Sequence, residues 1–416
     1  MAYLIGVVLF ALAIFISVAL HEAGHMATAK AFGMKVTRYF VGFGPTLFSF
    51  RRGETEYGLK AIPAGAFVKI VGMTPQDDDV APEDEPKAMW RYPVWKRTIV
   101  MSAGSIMHFI LGFVVLWVTL FLVGVPNPEL SDQAKVNALP PTVSIESCVQ
   151  LDADRANCLP TDPQSPARQA GLQNGDKITA VNDTQVSTYI GLVNTIRAAK
   201  PGPATLTYVH DGVTKTANIT LISAPRHPAD NPSGAPTQVA ALGVSQALPK
   251  NVPLNVTYGP VESVGQSFRF TGQLFQGIGE SLKSIPSKVP NLWNALSGKP
   301  RDPNGPISVV GASRLGGESV EHGAWTLFLS FLISLNFFIG VFNLLPLLPL
   351  DGGHIAVAWF ERVRSWLYAK IGRRDPGRVD YLKLMPVTYA VILVFGGFTL
   401  LTVAADIVNP VTLFGK

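Results

Sequence analysis

The stretch His21-Glu22-Ala23-Gly24-His25 stands directly after an apolar run, Tyr3 to Leu20. Histidines four residues apart lie on one face of a helix, so both imidazoles can reach one metal ion. Glu22, next to the first histidine, is placed to act as a general base in hydrolysis. The stretch therefore predicts a zinc site carried by a helix that starts inside a membrane.

The composition supports a membrane protein. The 416 residues are 15% charged and 48% hydrophobic, and the mean hydropathy is positive. The first apolar run has neither a basic residue before it nor a small-x-small cleavage site, so we interpret it as a retained helix and not as a secretory signal. Runs long enough to cross a hydrocarbon core of about 30 Å are Tyr3 to Leu20, Ile99 to Val125, Trp325 to about Leu348, and Pro386 to about Val408. We expect a membrane α-helical fold with four transmembrane helices.

Basic residues predict how these spans are oriented. They cluster between Lys30 and Arg97 and again between Arg362 and Lys383, so both segments are expected in the cytoplasm. Both termini and the long middle segment then face outward. The net charge of +5 is explained by this topology and by contact with anionic membrane lipid, not by nucleic-acid binding.

Residues 34–97 connect the first span (residues 1–33) to the second (residues 98–126). Val36 to Met73 is rich in aromatic, β-branched and glycine residues and predicts β hairpins, with one turn at Arg52-Gly53-Glu54. Because it is apolar, this segment is expected either to re-enter the membrane against the zinc helix or to form a small cytoplasmic sheet. Thr74 to Lys87 is acidic and contains prolines, which indicates a linker.

The outer segment is predicted to contain a small β-rich domain, residues 127–225, with one helix from Tyr189 to Lys200. Cys148 and Cys158, the only cysteines, fall here, where an oxidising compartment favours a disulfide; two free thiols are the alternative. Residues 226–323 are expected to form a proline-rich linker, to about Pro253, and an amphipathic helix from Val261 to about Leu296. That helix lies on the outer membrane surface or caps the core.

The third span, residues 324–353, ends in Asn343-Leu344-Leu345-Pro346-Leu347-Leu348-Pro349-Leu350-Asp351-Gly352-Gly353-His354. Two prolines must break the helix, and a broken helix inside a membrane usually lines a site. Asp351 is costly at this position unless it binds a cation or a base. The first span reaches His21 after about 27 Å and the third reaches Asp351 near the same cytoplasmic level, so His21, His25 and Asp351 are candidate zinc ligands, with a fourth position left for water.

The rest of the chain adds one further candidate. Residues 354–385 are expected to be a cytoplasmic basic loop, and residues 386–416 the fourth span and C-terminus. The second span carries His108, which must face either another helix or a wet cavity because an unpaired histidine is costly in a membrane. A structural role and a role in the site both remain open for it.

Two family resemblances support this interpretation. Part of the outer segment resembles an extracytoplasmic PDZ-like α+β domain of the protease-associated kind. The matching residues are Ser165-Pro166-Ala167-Arg168-Gln169-Ala170-Gly171-Leu172, followed by Gly175 to Asn182. The chain as a whole resembles a site-2 intramembrane metalloprotease. The resemblance rests on His21-Glu22-x-x-His25 in a first span, a PDZ-like insert, and Asn-x-x-Pro-x-x-Pro-Leu-Asp-Gly in the third span. The similarity covers nearly the whole chain and is closest to the actinobacterial branch.

That resemblance implies specific roles. His21, His25 and Asp351 would hold Zn²⁺, Glu22 would be the catalytic base, and Asn343 would help to hold the substrate extended. The β segment would be membrane-reentrant and would offer an edge strand, with Gly42 and Gly44 as candidate substrate-contacting positions. The family usually has Ala-Gly-Pro-x-x-Asn in the second span, where this chain has Ser105 and His108 at the proline and asparagine positions. By this resemblance His108 is a further candidate substrate-binding residue, which could donate a hydrogen bond or perturb zinc binding.

The resemblance also implies partners. The substrate would be a single-pass membrane protein, typically an anti-sigma factor, that an upstream site-1 type protease has first shortened on its outer side. The PDZ-like domain would select the shortened form. A membrane-anchored peptide-binding scaffold with structural zinc is the rival, although structural zinc normally has four protein ligands. A transporter is a third option, but the chain shows no internal repeat of the kind such folds have.

Overall fold

The computed structural model describes residues 1–73, 80–155, 157–229, 234–299, 301–302 and 305–414. The predicted acidic linker therefore falls partly outside the described residues. The chain divides into two compact units, Met1–Gly124 with Thr257–Lys416, and Val125–Val256.

The helices are numbered along the chain: α1 (Ala2–Ala31), α2 (Val94–Val118), α3 (Gln133–Asn137), α4 (Pro166–Gln169), α5 (Tyr189–Ala198), α6 (Pro260–Leu296), α7 (Val309–Glu321), α8 (Trp325–Asn343), α9 (Asp351–Lys370) and α10 (Met385–Val408). The strands are β1 (Val36–Arg52), β2 (Thr55–Ile70), β3 (Val125–Pro126), β4 (Val143–Ile145), β5 (Lys177–Val181), β6 (Thr184–Gln185), β7 (Gly202–His210), β8 (Val213–Arg226), β9 (Thr237–Ala241), β10 (Val244–Gln246) and β11 (Asn255–Val256).

Four helical segments among the described residues are long and apolar enough to cross a membrane: Ala2–Ala31, Val94–Val123, Trp325–Asn343 and Tyr381–Val408. They correspond to the four apolar runs of the sequence, so the prediction of four candidate spans is confirmed. The second starts five residues before Ile99, and its first turns include two basic residues that both have partners. Lys96 lies 5.5 Å from the ring of Trp95, and Arg97 is paired with Glu361 at 3.2 Å.

The proline-rich end of the third span separates two helices. Helix α8 ends at Asn343, residues 344–350 are not helical, and α9 starts at Asp351. The predicted break is confirmed, but the prediction of a basic loop over residues 354–385 was wrong for residues 354–370. Those residues form a helix because Ile355 and Ala358, three positions apart, pack towards the core of this unit.

Helix α7 packs closely against α1 and was not predicted. Its residues Gly316 and Gly317 lie so near α1 that an added Cβ would come within 2.8 Å of Phe10 and 2.7 Å of Val7. Small residues allow two helix backbones to approach in this way. Helix α6 confirms the predicted amphipathic helix.

Strands β1 and β2 form an antiparallel pair joined by a turn at Gly53 and Glu54, as predicted. Both strands bend, so Phe40 pairs with Phe67 and also with Gly58. The bend in β1 includes Gly42 and Gly44, whose φ angles of 90° and 81° favour glycine.

The second unit is β-rich. Its main sheet has the order β6-β5-β7-β8-β9, and α5 packs beside it over a core that includes Leu192 and Leu206. Strands β9 and β10 fall where a linker to Pro253 was expected. That expectation was wrong for residues 237–241 and 244–246, because β9 pairs with β8 and β10 pairs with β4.

A disulfide joins Cys148 to Cys158 in this unit. The paired form is therefore the one present, and the alternative of two free thiols is excluded for this structure. The bond closes a loop whose ends are ten positions apart in sequence.

Candidate metal centre

Three side chains that are far apart in sequence converge in the helical unit. The Nε2 atoms of His21 and His25 are 3.1 Å apart. Oδ2 of Asp351 is 3.3 Å from Nε2 of His21 and 3.4 Å from Nε2 of His25. All three side chains are largely buried.

Helix geometry accounts for this convergence. His21 and His25 share one face of α1, and Asp351 is the first residue of α9, which starts directly after the proline-containing break. Gly24 and Gly104 let α1 and α2 approach closely, since a Cβ on Gly24 would lie 2.7 Å from the carbonyl oxygen of Ala103.

The spacing of the three atoms fits zinc. Bonds of about 2.0 to 2.2 Å at tetrahedral angles put neighbouring ligand atoms about 3.4 Å apart. A Cβ on Gly104 would lie 2.5 Å from Nε2 of both His21 and His25, so only glycine leaves space in front of these nitrogens. Oδ2 of Asp351 is buried without a hydrogen bond to any described residue, as expected of an atom whose partner is a cation.

One histidine has its tautomer fixed by the backbone. Nδ1 of His25 lies 2.7 Å from the carbonyl oxygen of Val100 and donates to it. Its Nε2 is thereby left with a free lone pair, which is the usual arrangement of a metal-binding imidazole.

Glu22 contacts the β sheet. The backbone N–H of Val68 in β2 donates to Oε2 of Glu22 at 3.0 Å. The hydroxyl of Tyr39 in β1 donates to the carbonyl oxygen of Ala19, also on α1, at 2.8 Å. The sheet therefore holds the carboxylate beside the two histidines.

His108 belongs to a buried polar cluster with Ser17 and Asn336. Nδ1 of His108 lies 3.0 Å from Ser17 Oγ and 3.0 Å from Asn336 Oδ1. The amide nitrogen of Asn336 donates to Leu332, so its Oδ1 accepts from the Ser17 hydroxyl and from His108. The His108 ring lies 5.0 Å from the ring of His21, measured between centroids.

Sequence reasoning identified His108 but missed its two partners. Ser17 lies four residues before His21, on the same face of α1, which is the one signal that could have identified it. Asn336 lies within the apolar α8, where a buried amide is unusual enough to indicate a site.

Of the candidate substrate-contacting residues, His108 belongs to this polar cluster, whereas Asn343, Gly42 and Gly44 lie outside it. Asn343 is the last residue of α8 and is half-buried. Gly42 is required by backbone packing, because a Cβ there would lie 2.8 Å from the carbonyl oxygen of Lys60. These contacts explain the glycine without reference to a substrate.

His354 is a further histidine near the centre, and it was not identified as a candidate from the sequence. His354, three residues after Asp351, faces a cavity of about 10 Å³ that Arg97 and Tyr381 also line. Burial lowers the pKa of its imidazole. A cavity of this size accommodates about one water molecule.

Comparison with known proteins adds an independent result. Residues 9–373 of the chain match the sequence pattern of peptidase family M50. The chain is 45% identical over 421 residues to the zinc metalloprotease Rip1 of Mycolicibacterium smegmatis, with 100% of both chains covered. It is 42% identical over 419 residues to the zinc metalloprotease Rip1 of Mycobacterium tuberculosis strain H37Rv, again with 100% of both chains covered.

Proposed function

Since this chain belongs to peptidase family M50 and is a zinc metalloprotease, we propose that it is an intramembrane endopeptidase that cleaves the transmembrane segments of other membrane proteins. The observation that carries this proposal is the position of the metal centre. His21 and His25 are buried on α1, one of the four candidate spans. Peptide bonds that reach such a centre are those of membrane-embedded segments.

We assign His21, His25 and Asp351 as the residues that hold zinc, on the basis of their spacing and burial. When bound, zinc supplies a Lewis acid that polarises the scissile carbonyl. Three protein ligands would leave one coordination position free for water or substrate, which is typical of catalytic and not of structural zinc.

Glu22 is the general base in this proposal. Its Oε2 accepts the Val68 N–H, so Oε1 remains able to take a proton from the attacking water and to pass it to the leaving amine. The hydrogen bond to β2 also limits rotation of the carboxylate. Removal of that N–H in Val68→Pro is expected to lower the rate of cleavage more than the zinc content.

We propose that β1 and β2 form a membrane-reentrant segment beside the centre. Leu47, Phe48 and Phe50 on β1 are 66%, 63% and 51% exposed, as is expected for a surface that lipid covers. The segment would hold the substrate as an added strand, since a helical substrate hides its carbonyls in its own hydrogen bonds. Gly42, Gly44, Asn343 and His108 are the proposed substrate-contacting residues.

His108 is proposed to act beside the substrate, at the position where the family usually has asparagine. Because Nδ1 donates to Asn336, Nε2 is the nitrogen left to accept a hydrogen bond. His108→Asn is expected to retain zinc and part of the activity, whereas His108→Phe is expected to retain zinc and lose more of it.

The orientation follows from the charges. We propose that both termini and the β-rich unit are extracytoplasmic, and that the metal centre lies near the cytoplasmic face of the plasma membrane. Basic residues on and after α9, among them Arg362 and Lys370, support this assignment by the positive-inside rule.

The proposed substrates are single-pass membrane proteins, such as anti-sigma factors, that an upstream site-1 type protease has already cut outside. The β-rich unit would act as a PDZ-like selector of the shortened substrate. Strand β10 pairs only with β4 in a two-stranded sheet of the described residues. Its other edge is one to which a peptide strand can be added.

The test is co-expression with a tagged single-pass protein that lacks its outer domain. Glu22→Gln is expected to keep zinc and abolish cleavage, and Asp351→Ala to lower both. Glu262→Gln, an exposed carboxylate on α6, is the matched control and is expected to cleave normally. Full signalling by Glu22→Gln in cells would instead favour the peptide-binding scaffold.

A further inference from the structure

Helix α9 has an exposed apolar face although it is not one of the candidate spans. Five large side chains on it are about half exposed: Trp359 47%, Phe360 58%, Val363 49%, Trp366 49% and Leu367 48%. At 100° per residue they project within an arc of about 120°. An apolar face of this width requires a partner.

Basic side chains border this face. On the same helical projection, Arg362 lies about 40° beyond one edge of the arc and Arg364 about 40° beyond the other. The guanidinium of Arg364 lies 5.5 Å from the ring of Phe360, and the ammonium of Lys370 lies 4.2 Å from the ring of Trp366. Apolar and aromatic residues flanked by Arg and Lys are the pattern of helices at the interface of an anionic membrane.

The start of α2 also combines a basic side chain with aromatic rings. The ammonium of Lys96 lies 5.3 Å from the ring of Phe32 and 5.5 Å from the ring of Trp95. The indole N–H of Trp359 donates to Thr98 of α2 at 3.0 Å. The two aromatic and basic surfaces are therefore linked, as expected of one belt at one membrane interface.

The opposite face of α9 is attached to the protein. Glu361 accepts a hydrogen bond from Arg97 of α2 at 3.2 Å, and Ala358 is buried. The first residue of the same helix is Asp351, and Trp359 lies about 12 Å further along the axis. A force on the exposed face is therefore transmitted through a continuous helix to the proposed zinc ligand.

We propose that this face of α9 binds anionic phospholipid headgroups of the cytoplasmic leaflet, and that the contact holds Asp351 against the two histidines. The inference rests on the membrane orientation given under the proposed function. A lipid surface is the partner that fits, because it supplies both the acyl layer for the aromatic side chains and the negative charge for the basic ones.

The test uses the full-length Glu22→Gln protein in detergent micelles and a fluorescent phosphatidylglycerol as probe, with fluorescent phosphatidylcholine for comparison. The variant R362Q/K370Q/R373Q removes three charges on and directly after α9. Arg364 is left intact because it donates to the carbonyl oxygen of Gly377. The matched control, K177Q/K200Q/K215Q, removes three exposed charges from the β-rich unit.

The α9 variant is expected to bind phosphatidylglycerol about 100-fold more weakly, since each basic residue near an anionic surface contributes severalfold. The control variant and the phosphatidylcholine probe should show no such change. Zinc content, measured in lipid discs, should be higher with phosphatidylglycerol than with phosphatidylcholine in the parent protein and equal in the α9 variant.

Equal phosphatidylglycerol affinity in both triple variants would overturn the proposal. So would loss of self-association in the α9 variant with lipid affinity unchanged, since that result assigns the face to a second copy of the chain. Because lipid binding is measured with Glu22→Gln, its outcome does not depend on proteolysis, which is tested separately with the wild-type centre.

Discussion

The substitution Gly104→Ala tests the proposed metal centre while leaving all three proposed zinc ligands, His21, His25 and Asp351, unchanged. The added Cβ would lie 2.5 Å from Nε2 of His21 and 2.5 Å from Nε2 of His25, whereas ordinary contact begins at 3.4 Å. Each nitrogen would have to retreat by about 0.9 Å, from 2.5 to 3.4 Å. His25 cannot retreat freely, because its Nδ1 is held by the carbonyl of Val100.

Zinc sites tolerate displacements of about 0.2 Å in ligand distance. Loss of a single outer hydrogen-bond partner already lowers metal affinity about 10- to 100-fold. Displacement of the two proposed ligands is therefore expected to weaken zinc binding by at least about 100-fold, which corresponds to about 2.8 kcal/mol. Alanine is also a better helix former than glycine by about 1 kcal/mol, so α2 itself is expected to form.

The assay is competition for zinc against a chromophoric chelator, together with thermal unfolding of the detergent-solubilised protein. Gly396→Ala, where an added Cβ has no neighbour within 4 Å, is expected to bind zinc normally. Gly316→Ala places a Cβ 2.8 Å from Phe10 and is expected to lower the unfolding temperature while zinc affinity stays unchanged. Wild-type zinc affinity in Gly104→Ala would refute the assignment of this space to the metal.

Two further predictions concern the β-rich unit. Replacing both Cys148 and Cys158 by serine is expected to destabilise that unit by about 2.7 kcal/mol, since its denatured state gains the freedom of the opened loop; denaturant unfolding of the full chain measures this, and an unchanged midpoint would contradict it. His227 donates to the carbonyl of Gly234 and to the carboxylate of Asp154, and these bonds raise the pKa of its imidazole. The stabilisation is present below the ordinary histidine pKa of about 6.5 and is lost as pH rises through the higher folded value, so His227→Gln should lower the unfolding temperature in acid and not at alkaline pH.

The helical fold could be predicted from sequence where apolar runs are continuous, as in α1, α8 and α10. Helix α7 could not be predicted this way, because its buried face contains Gly311, Gly316 and Gly317. Glycine disfavours helices in water, but between closely packed helices it permits backbone contact that larger residues prevent. Its effect depends on α1, which local sequence does not describe.

The strands after Pro225 were missed for a related reason. Pro225 pairs with Gln238 near the end of β8, a position at which a strand tolerates proline. Sequence shows the proline but not whether its missing N–H would have faced a neighbour. The residues were therefore interpreted as a linker although they extend the sheet.

The candidate site shows the same limit in another form. His21, Glu22, His25 and Asp351 could be named as candidates from sequence because side-chain type and spacing indicate their chemistry. The groups that orient two of them cannot be found this way, because they are backbone atoms: the Val68 N–H that binds Glu22 and the Val100 carbonyl that binds His25. Any residue type except proline supplies that N–H, and every residue type supplies a carbonyl. Which backbone groups reach the site depends on how β2 and α2 pack against α1. The motif therefore determines the chemistry of the site, whereas packing determines its geometry.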